Sequence, residues 1–149
     1  MTPQPALRDL IERMEAAKEG SRELDALIAV TIGEDLPASM GEAKPHLRAC
    51  RPNDNCAPGH YWLVQRSGMS LRSAKHYTTS IDAALTLVPE KCYPTMLTWN
   101  SMGGEAGFCR MIVRGPFRKD GWHEDRKGEG RSPALAVCIA ALKARLTDD

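Results

Sequence analysis

The chain has 149 residues and a net charge of +1, with 42% hydrophobic and 26% charged residues. That length is one domain's worth, 1–149, and buries enough surface to hold a core without disulfide or metal. The composition excludes a collagen-like chain and a disordered tail, no apolar run approaches the ~18 residues of a membrane span, and the small net charge supplies no global field toward a polyanion.

Elements follow from periodicity. In residues 4–18, Leu7, Leu10, Ile11 and Met14 fall at i, i+3, i+4 and i+7 and define one helical face. Gly20 stops this helix, Ser21 caps the next, and Leu24, Leu27 and Ile28 form a second stripe ending near Gly33. The pair reads as an αα-hairpin. Residues 33–60 hold four prolines and three glycines without sustained periodicity and read as a long loop. Tyr61–Gln65 is a short β-prone run, and 66–76 reads as a turn or exposed connection. Thr79 and Asp82 fit a capping box, with Ile81, Ala84, Leu85 and Val88 on the helix that Pro89 ends. Residues 93–99 and 107–113 read as strands joined by a glycine-bearing loop, and 114–131 as a second, charged loop. Ser132 caps the last helix and Pro133 takes its first position, with Leu135, Cys138, Ile139, Leu142 and Leu146 on one face. The order ααβαββα predicts an α+β fold: a small, mostly antiparallel sheet with the N-terminal hairpin and the C-terminal helix packed on it.

Three blocks stand out in this order. They are Ser21-Arg22-Glu23-Leu24-Asp25-Ala26-Leu27-Ile28-Ala29, Tyr77-Thr78-Thr79-Ser80-Ile81-Asp82-Ala83-Ala84-Leu85 with Val88-Pro89, and Ser132-Pro133-Ala134-Leu135-Ala136-Val137-Cys138-Ile139-Ala140-Ala141-Leu142. Their order and spacing over most of residues 21–146 resemble the phage ABA-sandwich domain family. The resemblance implies a phage-encoded, layered α/β/α sandwich acting in a host bacterial cytoplasm. It supplies no catalytic residues.

Five cysteines, an odd number, with no secretory pattern in Met1-Thr2-Pro3-Gln4-Pro5, point to reduced thiols in a cytoplasm. Cys109 and Cys138 read as small core residues. His46, Cys50, Cys56 and His60 have the spacing H-x3-C-x5-C-x3-H, and two thiolates with two imidazoles can close a tetrahedral zinc site. The alternatives are an exposed loop with incidental ligands and, in an oxidising compartment, a Cys50–Cys56 bond. Otherwise no cofactor is expected.

Charge is uneven. Residues 1–36 carry four Lys/Arg against eight Asp/Glu, while 44–131 carry fourteen against eight. The aromatic residues Tyr61, Trp62, Tyr77, Tyr93, Trp99 and Trp122 also fall in the basic part. Alternation along a strand turns one of Tyr61 and Trp62 inward and the other outward. An outward ring near an arginine can stack a nucleobase while the guanidinium holds phosphate. The candidate ligand set is Trp62, Arg66, Tyr77, Trp99, Arg110, Arg114, Trp122, Arg126 and Arg131. Gly128-Glu129-Gly130-Arg131 precedes the last helix, whose N-terminus can hold an anion with Arg131 or Arg126 assisting. His123-Glu124-Asp125 has the residue types of a general base, but no nucleophile pattern accompanies it. The expectation is therefore a non-enzymatic phage accessory protein that captures a small anionic nucleotide-type host molecule, serving counter-defence and possessing no membrane partner. Its pocket would suit a homo-oligomer. The alternative is an interaction protein binding a host protein or nucleic acid through its long loops.

Overall fold

The structure is a computed structural model that describes residues 4–34, 36, 45–100, 108–117 and 123–146. Its elements are α1 (Gln4–Ala16), α2 (Arg22–Ile32), β1 (His46–Ala49), a 3-10 turn (Pro52–Asp54), β2 (His60–Gln65), β3 (Gly68–Ser73), α3 (Ile81–Leu85), β4 (Tyr93–Asn100), β5 (Phe108–Phe117), β6 (His123–Gly130) and α4 (Pro133–Arg145). The α+β class follows, with antiparallel strands, an N-terminal helical hairpin and a C-terminal helix on a sheet. The strands form two three-stranded sheets, β1-β2-β3 and β4-β5-β6, where the sequence reading expects one.

Caps set the helix ends. The Ser21 hydroxyl accepts from the Leu24 amide at 3.2 Å, and Ser132 does the same for Leu135. α2 closes at Gly33, whose φ of 74° is the left-handed conformation that turns the chain out of a helix. α3 differs from expectation: its cap is Ser80, accepting from Ala83, and Ile81 is exposed while Ala84 and Leu87 are buried. The stripe is therefore rotated from the one read through Ile81.

α4 is the centre of the molecule. Every side chain from Ala134 to Leu142 is at most 4% exposed, so this helix is apolar all round rather than on one face. It packs on β5 and β6 and is also in contact with α1 and α3. The buried Cys109, Met111 and Val113 of β5 meet it. Opposite them on β6 stand Gly130, Gly128 and Arg126. A Cβ at Gly128 would collide with the backbone of Ala136 and Ala140, so helix and strand approach as closely as backbones allow. The G-x-G before α4 is thus a seat for the helix, not a cradle for phosphate.

A polar buckle joins the N-terminal half to this core. Asp25, fully buried on α2, accepts from the Thr78 amide and hydroxyl at 2.8 Å each. Arg22 pairs with Asp25 at 2.8 Å and donates to the carbonyls of Ala74 and Lys75. α2 also lies against β1 and β2, which hangs the first sheet on the hairpin.

Strands enter both expected loops. β1 and the 3-10 turn occupy part of 33–60, and the end of β5 with all of β6 occupies much of 114–131. β3 takes the expected connection after β2.

Candidate functional site

The first sheet has two unlike faces. Tyr61 and Leu63 on β2 are buried, and Leu47, paired with Leu63, joins the same packing. Trp62 and Val64 alternate to the other side, as expected for the Tyr61–Trp62 pair. Register places Arg48 of β1 and Leu71 of β3 on either side of Trp62. His46 and Met69 flank Val64 in the same way. Leu71 is 45% exposed and Met69 50%, so this face carries apolar groups in the open.

The loop between β1 and β2 reaches over that face. Cys50 and Cys56 form a disulfide, and Pro52 opens the short turn between them. Asp54 in that turn is the common acceptor. One carboxylate oxygen takes the Arg51 amide at 2.8 Å, the Trp62 indole N–H at 3.2 Å and the Arg48 guanidinium at 3.5 Å. These contacts hold the Asp54 carboxyl below its ordinary value, foremost the Arg51 N–H, then the indole and the two arginine charges, against the opposing effect of desolvation. The indole is therefore fixed at its polar edge by an ionised carboxylate. On the other side of the loop a groove of about 370 Å³ opens against Glu23, Ala26 and Leu27 of α2, and both cystine residues line it.

The four expected zinc ligands, His46, Cys50, Cys56 and His60, do not converge on one point. The Cys50 and Cys56 sulfurs are bonded to each other and have no lone thiolates to offer. His46 pairs with Val64 at the opposite end of β1, and His60 Nδ1 lies 3.0 Å from the Ala57 carbonyl. Asp54, not a histidine, is the third potential ligand within reach of the two sulfurs. The same disulfide departs from the expectation of reduced thiols and is the Cys50–Cys56 bond that stood as the alternative. Cys92, Cys109 and Cys138 are free. Burial pushes the Cys109 and Cys138 thiols up, with the nearby Asp25 charge adding to the effect at Cys138.

The expected ligand set does not come together. Tyr77 is 1% exposed, and its carbonyl accepts from the Cys138 thiol, so it is a core residue and not a stacking ring. Arg110 and Arg114 lie on β5 and pair across the strands with Glu129 at 2.9 Å and Asp125 at 3.3 Å. They neutralise their own neighbours on the second sheet. Arg66 lies in the exposed β2–β3 turn, and Arg126 is half-buried on β6 opposite Val113. Arg131 is exposed beside the N-terminus of α4, where it lines a separate open groove with Lys18 and Thr79. There Pro133 has no N–H and Ser132 already caps Leu135, which removes two of the donors an anion would use. Trp99 is on β4 with its side chain outside the described residues, as is Trp122 altogether. His123-Glu124-Asp125 opens β6 instead of lying in a loop.

Among the described residues of the expected set, Trp62 alone belongs to the built face. Arg48, Arg51, Asp54, Met69 and Leu71 join it and were not singled out by sequence. The signal available for Arg51 and Asp54 was the Cys-x5-Cys spacing around Arg51-Pro52-Asn53-Asp54, a turn sequence that ties β1 to β2. No family model matches the chain, and no curated protein or solved structure matches it either. The phage ABA-sandwich likeness remains a resemblance of sequence blocks.

Proposed function

We propose that the chain is a non-enzymatic binding module that holds a planar, anionic, nucleotide-type ligand on the outer face of the first sheet. The observation that carries this reading is the Trp62 indole, anchored by Asp54 between Arg48 and Leu71. An indole offers a flat surface for a nucleobase, and fixing it beforehand removes part of the ordering cost of binding. Arginine suits phosphate because its planar fork donates two hydrogen bonds at once. Residues 45–75 carry Arg48, Arg51, Arg66 and Lys75, besides Arg72 on the Tyr61 face, against Asp54 as their one acid, so the segment favours an anion. In a phage-encoded protein such capture withholds a host nucleotide without consuming it.

Calorimetry with ADP-ribose and cyclic di-adenylate tests the reading. Binding with the nucleotide recovered unchanged after denaturation supports it, and Trp62→Ala should weaken the affinity about tenfold or more. Absence of binding across the nucleotide panel rejects it. The exposed Met69 and Leu71 favour a second reading, a protein-docking face. Under that reading Leu71→Asp abolishes binding of a host protein and nucleotides have no effect.

A further inference from the structure

Resting on the platform reading above, we infer that the Cys50–Cys56 disulfide is a redox latch on Trp62. A dithiol reductant opens it, the 50–56 loop withdraws Asp54 from the indole, and the platform loses its hold on the ligand.

Four observations converge on this. Asp54 lies inside the cross-linked loop, while two of its three donors, Arg48 and Trp62, lie on the strands outside it. The carboxylate is thus the tie between loop and sheet. Second, Asp54 takes its shortest hydrogen bond, from the Arg51 amide at 2.8 Å, inside the same loop, so the carboxylate moves with the turn. Third, the latch joins the end of β1 to the approach to β2. β1 is only four residues long and lies at the edge of its sheet, so it has little pairing of its own to keep the loop in place. Fourth, Cys50 and Cys56 are half-buried and line the groove beside α2, which gives a reductant a path. Cys109 and Cys138 are buried with raised thiols, so the redox change centres on this loop.

The exchange is balanced. One thiolate of the reductant attacks one cystine sulfur, the S–S bond breaks, and the departing sulfur leaves as a thiolate with the electron pair. The reductant's second thiolate displaces the remaining cysteine from the mixed disulfide. Two protons from the dithiol and its solvent complete two cysteine thiols. The protein gains two electrons and the reductant becomes a disulfide.

The test uses the full chain, oxidised and then treated with dithiothreitol, and reads the indole N–H of Trp62 by nitrogen-15 NMR, assigned with Trp62→Phe. Reduction should speed exchange of that proton and of the Arg51 amide at least about tenfold. The Cys50→Ser/Cys56→Ser chain should show the same without reductant, and Cys92→Ser should not. Asp54→Ala, which keeps the disulfide, should also loosen the indole. ADP-ribose affinity, measured in both redox states, should fall about tenfold on reduction. An indole equally protected in both states overturns the latch, whatever the nucleotide does. A loosened indole with equal ADP-ribose affinity overturns the control of binding. A loosened indole with no ADP-ribose binding in either state upholds the latch and removes the platform reading, so the two failures are told apart.

Discussion

Asp54 is the residue on which the platform depends, and its charge gives a pH signature. Its folded value lies below the ordinary carboxylate value, so its contribution is full above that ordinary value and is lost as pH falls through the lowered one. The Trp62 indole should therefore stay protected from about pH 7 to about pH 4 and loosen only below. Following its exchange by NMR across that range checks this. An indole that loosens near neutral pH would contradict the carboxylate anchor. A second residue-scale expectation concerns Thr78. Its hydroxyl and amide both donate to the buried Asp25 carboxyl, and both bonds are themselves buried. Thr78→Val keeps the shape and removes the hydroxyl donor, which should cost about 2 kcal/mol. Urea unfolding should show a lower midpoint with an unchanged slope. The cysteines separate by the same logic. Cys92 is half-buried, whereas the Cys109 and Cys138 thiols are buried and held protonated. Brief alkylation of the oxidised chain should label Cys92 first, which peptide mass spectrometry resolves.

Elements differ in how plainly the sequence announces them. α1 and α2 combine a stripe with a cap or a stop, α4 is a capped apolar run, and Ser21, Gly33, Ser132 and Pro133 do in the structure what their chemistry predicts. β6 hides its period. Its outward residues, Asp125, Lys127 and Glu129, are charged, and two of its inward positions are Gly128 and Gly130. Alternation is present, but glycine stands where an apolar side chain would mark it, so the segment reads as a charged loop. β3 is an edge strand with all six residues exposed, leaving no buried face to read. β1 is short enough to vanish among the prolines around it. The site was partly legible for the same reason. Trp62 could be placed by alternation, whereas Asp54 acquires its role only when the turn folds back on β2. The glycine seat under α4 carries its own prediction. Gly128→Ala puts a methyl group into the backbone of Ala136 and Ala140, and α4 must lift from β6. Overpacking of this kind costs about 1–3 kcal/mol. A matching fall in stability, with faster amide exchange at the start of α4, would verify the seat.

At the scale of the molecule, the latch and the core are different parts of the chain. The cross-linked loop has a sequence separation of 6, so closing it removes little disorder from the unfolded state, about 2 kcal/mol. The bulk of the buried apolar residues belongs to α1, α4, β5 and their neighbours, and neither Cys50 nor Cys56 is among them. The first sheet is held to that core through α2 and the Arg22–Asp25–Thr78 buckle, whose hydrogen bonds use neither Cys50 nor Cys56. Reduction should accordingly lower the melting temperature by only about 5 °C and leave unfolding a single transition. Calorimetry of the oxidised and reduced chain measures both quantities. Amide exchange should then divide the structure: α4 and β5 unchanged by reduction, β1 and the 50–56 loop faster, β2 between them. Loss of the cooperative transition in dithiothreitol would mean that the disulfide holds the fold itself. A cross-link with that duty could not open and close in the folded protein, so the same measurement that locates the stability of this chain also decides whether its cystine is free to act as a switch.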